Sequence, residues 1–178
     1  MEKYRERIKN LHKAIGIPNN YESVYGLTLQ EEETELVEIG KDIFGRPQSL
    51  CHAAAEAWEE MKSHAKKDGI VLNVVSAFRT VDKQNEIIIK KIEFGQPLNE
   101  ILKACAAPGY SEHHTGRALD LTSTGCEPLT EEFENTEAFS WLAEKAGLHS
   151  FKLSYPQNNE AGILYEPWHW AYHPKKAT

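Results

Sequence analysis

Apolar positions along the chain fall into two rhythms, a helical spacing of three and four and short β-branched runs. Residues 2–15 read as a charged amphipathic helix, ended by Gly16 and Pro18. From about Asn19 to Glu35 the chain turns polar and acidic. "ELVEIGKDIFGRP" predicts a short strand and a loop. Pro47 and Gln48 open a helix predicted to run through Lys67, with Leu50, Ala54, Ala57, Trp58 and Met61 on one face. Asp68-Gly69 stops it. "IVLNVVSAF" is continuous and β-branched, as in a buried strand. Helices are expected over 81–93, 97–104 and 129–146, the last stopped by Gly147. "RALDLT" alternates like a strand, and "FKLSYP" and "GILYEPWHW" read as closing strands. The pattern predicts an α+β fold, not a regular βαβ alternation. The expected organisation is an N-terminal helix and acidic extension over 1–45, packed on a domain over 46–178.

Composition narrows the function classes. The chain has 178 residues and a net charge of −7, which suits one core and argues against a nucleic-acid partner. No apolar run is long enough to cross a bilayer. "MEKYRERIKNLHKAIG" lacks the apolar centre of a signal peptide, so the expectation is a cytoplasmic chain or the mature part of an exported one. A monomer is expected. Cys51, Cys105 and Cys126 are odd in number and widely spaced, which argues against a disulfide framework or a thiolate zinc site. They read as small buried thiols.

The chemistry concentrates in "GYSEHHTGRALDLT". His and Asp are zinc ligands through nitrogen and carboxylate oxygen. On a strand, Ala118 and Asp120 share one face, and the small Ala118 leaves room beside the carboxylate. Gly116 permits a bend that returns His113 over the strand end. Near the end, "YEPWHWAYH" offers Glu166 and His169. Their parity differs, but Pro167 breaks strand regularity and lets both aim inward. His169 is then the third ligand and Glu166 the base. His12 and His64, on charged helices, are expected to face solvent. His149 and His173 show no partner in the sequence.

Three segments carry a family resemblance. "SEHHTGRALD" fits S-x-H-x-x-G-x-A-x-D, "EPWH" fits E-x-W-H, and "SAFRT" followed by Gln84 resembles S-x-Y-R-(S/T)-x-x-x-Q. Together they resemble the zinc D-alanyl-D-alanine carboxypeptidases of the vancomycin-resistance type, in the Hedgehog/DD-peptidase superfamily. The resemblance covers about residues 47–172. It implies a small, mainly antiparallel sheet with flanking helices. It also implies Zn2+ held by His113, Asp120 and His169, with Glu166 as general base and proton shuttle. Arg79 becomes the electrophile that steadies the carbonyl oxygen. Ser111 and Gln84 help hold substrate, and Tyr110 and Trp168 line the cleft. His114 falls at a variable position and reads as an incidental neighbour. Phe78 departs from the common Tyr and removes a hydroxyl.

The implied reaction is removal of the C-terminal D-Ala from a peptidoglycan stem peptide. L,D-carboxypeptidase, D-Ala-D-Ala dipeptidase and phage-type endopeptidase activities share the same zinc chemistry and stay open. A zinc-holding binding module is the rival from another class, but it leaves Glu166 and Arg79 without a purpose.

Overall fold

A computed structural model describes residues 2–174, so the last four residues of the expected 46–178 unit lie outside the described residues. The chain opens with α1 (Glu2–Ile15) and a short α2 (Tyr21–Tyr25). A hairpin of β1 (Leu36–Lys41) and β2 (Pro47–Cys51) follows, so residue 45 lies inside its turn. That turn is fixed by buried Asp42, whose carboxylate accepts from the backbone N–H groups of Phe44 and Arg46, both at 2.9 Å. Next come α3 (His52–Lys67), β3 (Asn73–Ser76), α4 (Val81–Glu93) and α5 (Leu98–Ala104). A 3-10 turn over Glu112–Thr115 leads into β4 (Ala118–Thr122). The chain closes with α6 (Glu137–Lys145), β5 (Phe151–Leu153) and β6 (His169–Tyr172).

The main sheet is antiparallel with order β3-β4-β6-β5. Its register sets Asp120 on β4 opposite His169 on β6 and beside Ser76 on β3. Residues directly opposite in such a sheet have Cβ atoms about 5 Å apart, so pairing alone brings two candidate ligands together. One core joins the sheet to α3 and α6 through Trp58, Met61, Leu119, Leu121 and Leu142. A second core joins α1 and α2 to α4 and α5 through Ile8, Tyr21, Ile88, Ile101 and Leu102. The first helix and the acidic extension therefore lean on the same helices that border the site.

Several elements differ from their sequence signals. The helix expected from Pro47 starts at His52, because 47–51 pairs with β1, a long-range partner that helical spacing cannot reveal. The helix expected over 129–146 is split: residues 131–135 form a 3-10 turn, and the Thr136 hydroxyl caps α6 by accepting from the Phe139 N–H. "GILYEPWHW" contributes only His169 and Trp170 to a strand, since Pro167 cannot donate to a ladder. His12 is buried, not solvent-facing, with Nε2 2.8 Å from the Pro108 carbonyl. His64 is half-buried and has His149 as its neighbour, the ring nitrogens 3.0 Å apart. Cys51 is buried, whereas Cys105 and Cys126 are half-buried; all three are free thiols.

Candidate active site

His113, Asp120 and His169 converge as a buried trio whose potential ligand atoms all lie within 4.8 Å of one another. His113 Nε2 is 3.1 Å from Asp120 Oδ2, and His169 Nδ1 is 3.1 Å from Asp120 Oδ1. Gly116 makes the approach possible. Its φ is +64°, and a Cβ there would stand 2.8 Å from the Cys51 backbone nitrogen. Only glycine meets both demands, so the turn can reverse between His113 and β4.

The donor set suits a divalent cation. His113 Nδ1 lies 2.5 Å from the Ala77 carbonyl oxygen, which only an N–H can satisfy. The proton is thereby fixed on Nδ1, leaving the Nε2 lone pair aimed at Asp120. His169 is oriented likewise, with Glu112 Oε2 2.9 Å from its Nε2 and its Nδ1 facing the trio. Carbonyls and carboxylates that hold the far nitrogen of a ligating His are the usual outer support of a metal site. Asp120 supplies the negative charge: burial opposes its ionisation, but His113 and His169 outweigh that and hold it well below the usual carboxylate range. Burial depresses His113 and keeps it neutral, the ligating form. For His169, burial disfavours the charged form, yet its hydrogen bonds to Asp120 and Glu112 prevail and raise its pKa to about 10.

Glu166 stands beside the trio, with Oε2 3.7 Å from His169 Nδ1. It accepts no side-chain hydrogen bond from a described residue, and burial pushes its carboxyl up to about 7. That is a suitable value for a group that takes and returns a proton near neutrality. Arg79 extends from the loop after β3, with one guanidinium nitrogen 3.5 Å from Asp120 Oδ2. It is held as a fork, donating to Gln84 Oε1 at 2.8 Å and to the Ser76 hydroxyl at 3.1 Å. Gln84 is buried and donates to the Ala106 carbonyl at 2.6 Å, so it braces the arginine from α4.

These groups line a cleft of about 710 Å3 that also includes Ser111 and Trp168. Ser111 is buried, and its hydroxyl faces the His113 backbone N–H at 3.4 Å, at the start of the 3-10 turn. Tyr110 does not join the cleft. Its ring packs in the second core against Tyr21, and its hydroxyl donates to Glu22 at 3.0 Å. The positive φ of Gly109, +88°, turns the chain there, and neighbours in a turn need not share a face.

Two residues carry more than the sequence suggested. Glu112, unmarked in the motif, bonds His169 and accepts from the Ser154 hydroxyl at 2.6 Å. Its only signal was a carboxylate adjoining a ligand. His114 is fully buried, and burial lowers its pKa to about 4. Its Nδ1–H donates to the Arg79 carbonyl at 2.6 Å and its Nε2 accepts from the Gly109 N–H at 3.1 Å. It is a cross-link in the site wall, not an incidental neighbour.

A buried His-Asp-His set on a small antiparallel sheet, flanked by a perturbed carboxylate and an arginine, defines a Hedgehog/DD-peptidase type of architecture. The profile of the VanY D-alanyl-D-alanine carboxypeptidases matches residues 47–175, and the chain belongs to this family. YodJ of Bacillus subtilis (strain 168), itself an inferred carboxypeptidase, is 34% identical over 172 residues, 94% of this chain and 60% of that protein. A D-alanyl-D-alanine carboxypeptidase of Enterococcus faecalis (strain ATCC 700802 / V583) is 31% identical over 64% of this chain and 44% of its own length. The chain thus spans less than two thirds of these relatives. Among solved structures, the LD-carboxypeptidase LdcB superposes with a TM-score of 0.73 at 34% identity, covering 83% of this chain and 72% of its own. VanYB in complex with D-alanine-D-alanine gives 0.65 at 26% identity, over 82% and 81% of the two chains. The D,D-pentapeptidase VanY of a VanB-type resistance cassette, in complex with Zn(II), gives 0.62 at 26%, over 79% of each.

Proposed function

We propose that the protein is a zinc carboxypeptidase that releases the C-terminal D-Ala of peptidoglycan stem peptides, acting on a D-Ala-D-Ala terminus. The observation that carries the reading is the His-Asp-His trio with Glu166 3.7 Å from His169 and Arg79 3.5 Å from Asp120. A pure binding module would have no use for a raised-pKa carboxyl and a braced guanidinium at one cleft.

His113, Asp120 and His169 would hold the ion. A zinc ion bound by such a set supplies Lewis acidity and a water whose pKa falls to about 7. Glu166 takes a proton from the attacking water and returns it to the departing amine, two transfers that its pKa near 7 serves equally. Arg79 presents donors to the carbonyl oxygen as charge gathers there, with Gln84 and Ser76 fixing its plane. Ser111 and Trp168 border the path and help seat the substrate.

A second reading is an L,D-carboxypeptidase, favoured by the likeness to LdcB at 34% identity and a TM-score of 0.73. Both activities release one D-Ala and differ in the configuration of the residue before it. Mass spectrometry of products from a pentapeptide, a tetrapeptide and free D-Ala-D-Ala distinguishes them. The first reading expects D-Ala from the pentapeptide. Release from the tetrapeptide alone replaces it with the second, and cleavage inside the stem overturns both.

A further inference from the structure

The α4 wall of the cleft holds a charge that the reaction centre does not use. Lys83, Gln84, Ile87 and Lys91 all line it, a spacing that puts Lys83, Ile87 and Lys91 on one helical face. Gln84 braces Arg79, and Lys83 is taken by Glu86 at 2.9 Å. Lys91 is half-buried and makes no hydrogen bond or ion pair with any described residue. Acidic residues outnumber basic ones in this chain, 27 to 20, so a cation left unpaired inside its cleft stands out. Such a charge in a concave, partly apolar wall focuses attraction on an anionic ligand.

Distance selects which anion. Lys91 lies seven positions after Gln84, about 10 Å along the helix axis at 1.5 Å per residue. An extended peptide advances about 3.3 to 3.6 Å per residue. A carboxylate reaching Lys91 therefore sits about three residues from the bond held at Arg79. The terminal carboxylate of an exopeptidase substrate is only one residue away, too close. Upstream, a γ-linked glutamate in a stem peptide leaves its α-carboxylate free at about the required distance. We infer that Lys91, with Ile87 as its apolar neighbour, is a specificity determinant that pairs with a substrate carboxylate about three residues before the scissile bond. The inference rests on the carboxypeptidase reading.

The test uses the full chain loaded with zinc and two pentapeptides. One carries a γ-linked D-glutamate with its free α-carboxylate, and the other carries the same residue amidated. The expected result is a KM about three- to tenfold lower for the acid, the range of a partly shielded ion pair. Lys91→Gln should raise KM for the acid to that of the amide and leave kcat and the amide's KM unchanged, and Lys91→Arg should retain the preference. Equal KM values for acid and amide in the unaltered protein, or a Lys91→Gln change that affects both alike, overturn the inference. Those results leave D-Ala release intact, whereas absence of release from both pentapeptides defeats the reading of a D-Ala-D-Ala carboxypeptidase and the inference with it.

Discussion

The Nδ1 of His114 lies 2.6 Å from the carbonyl oxygen of Arg79, so the histidine next to a metal-site residue holds the backbone of the arginine across the cleft. The Arg79 N–H donates in turn to the His113 carbonyl at 3.1 Å. Ligand turn and arginine loop are thereby stitched into one rigid piece. Truncating His114 leaves the Arg79 carbonyl and the Gly109 N–H unpaired in a buried place. His114→Ala should therefore cost about 2 to 4 kcal/mol of stability, read from a denaturant midpoint. It should also lower kcat while zinc content stays near one per chain. A variant as stable as the parent would remove His114 from this role.

Glu112 is expected to act through His169. Deleting an outer carboxylate of a ligating histidine typically weakens metal affinity about 10- to 100-fold. Glu112→Ala should show that loss in competition with a chromophoric chelator, and Glu112→Gln, which keeps an acceptor oxygen near Nε2, should recover part of it. Unchanged affinity in both variants would reduce Glu112 to a partner of Ser154.

The raised pKa of His169 has a consequence for metal uptake. Its folded value of about 10 stands above the ordinary 6.5, so its stabilising charge is fully present below pH 6.5 and is lost as pH rises through about 10. At pH 7 the metal-free protein thus carries a proton on a nitrogen that a cation needs. Zinc binding should expel that proton, and Glu166, also raised, should contribute up to about half of another. Calorimetric titrations at pH 7 in buffers of different ionisation enthalpy should give about 1 to 1.5 protons released per zinc. A value near zero would mean that His169 is already neutral and that its pairing with Asp120 and Glu112 has been misread.

The proposed base role of Glu166 is open to a direct test. Glu166→Gln keeps the shape of the side chain and removes its basicity, so kcat should fall to background while one zinc per chain remains by elemental analysis. Near-normal turnover in that variant would take the base role away from Glu166.

What the sequence could and could not reveal divides along the range of the interactions involved. His113, Gly116, Asp120 and Glu166 to His169 sit in compact segments whose spacing is itself the constraint, so the trio was readable. Tyr110 was misplaced because the Gly109 turn decides which core it enters, and that turn packs on Ile8 from the far N-terminus. Residues 47–51 looked helical because their pairing partner lies across a turn in β1. Glu112 and His114 act through contacts to β6 and to the loop after β3, which no local pattern records.

The last prediction concerns Arg79, whose two outer contacts define a plane. One terminal nitrogen donates to Gln84 and the other to Ser76, and the latter also approaches Asp120. A lysine ammonium is a point charge on a flexible stem and cannot span both acceptors while still facing the cleft. If the arginine works by fixed orientation, Arg79→Lys should lower kcat by about 100-fold, close to Arg79→Ala, because losing one preorganised donor to a developing oxyanion costs about 3 to 4 kcal/mol at most. Zinc affinity should change little in Arg79→Lys, since the positive charge near Asp120 persists. Steady-state kinetics with a metal titration on the same samples separates the two effects. Full activity in Arg79→Lys would show that charge alone suffices, and the brace from Gln84 would then have no catalytic purpose.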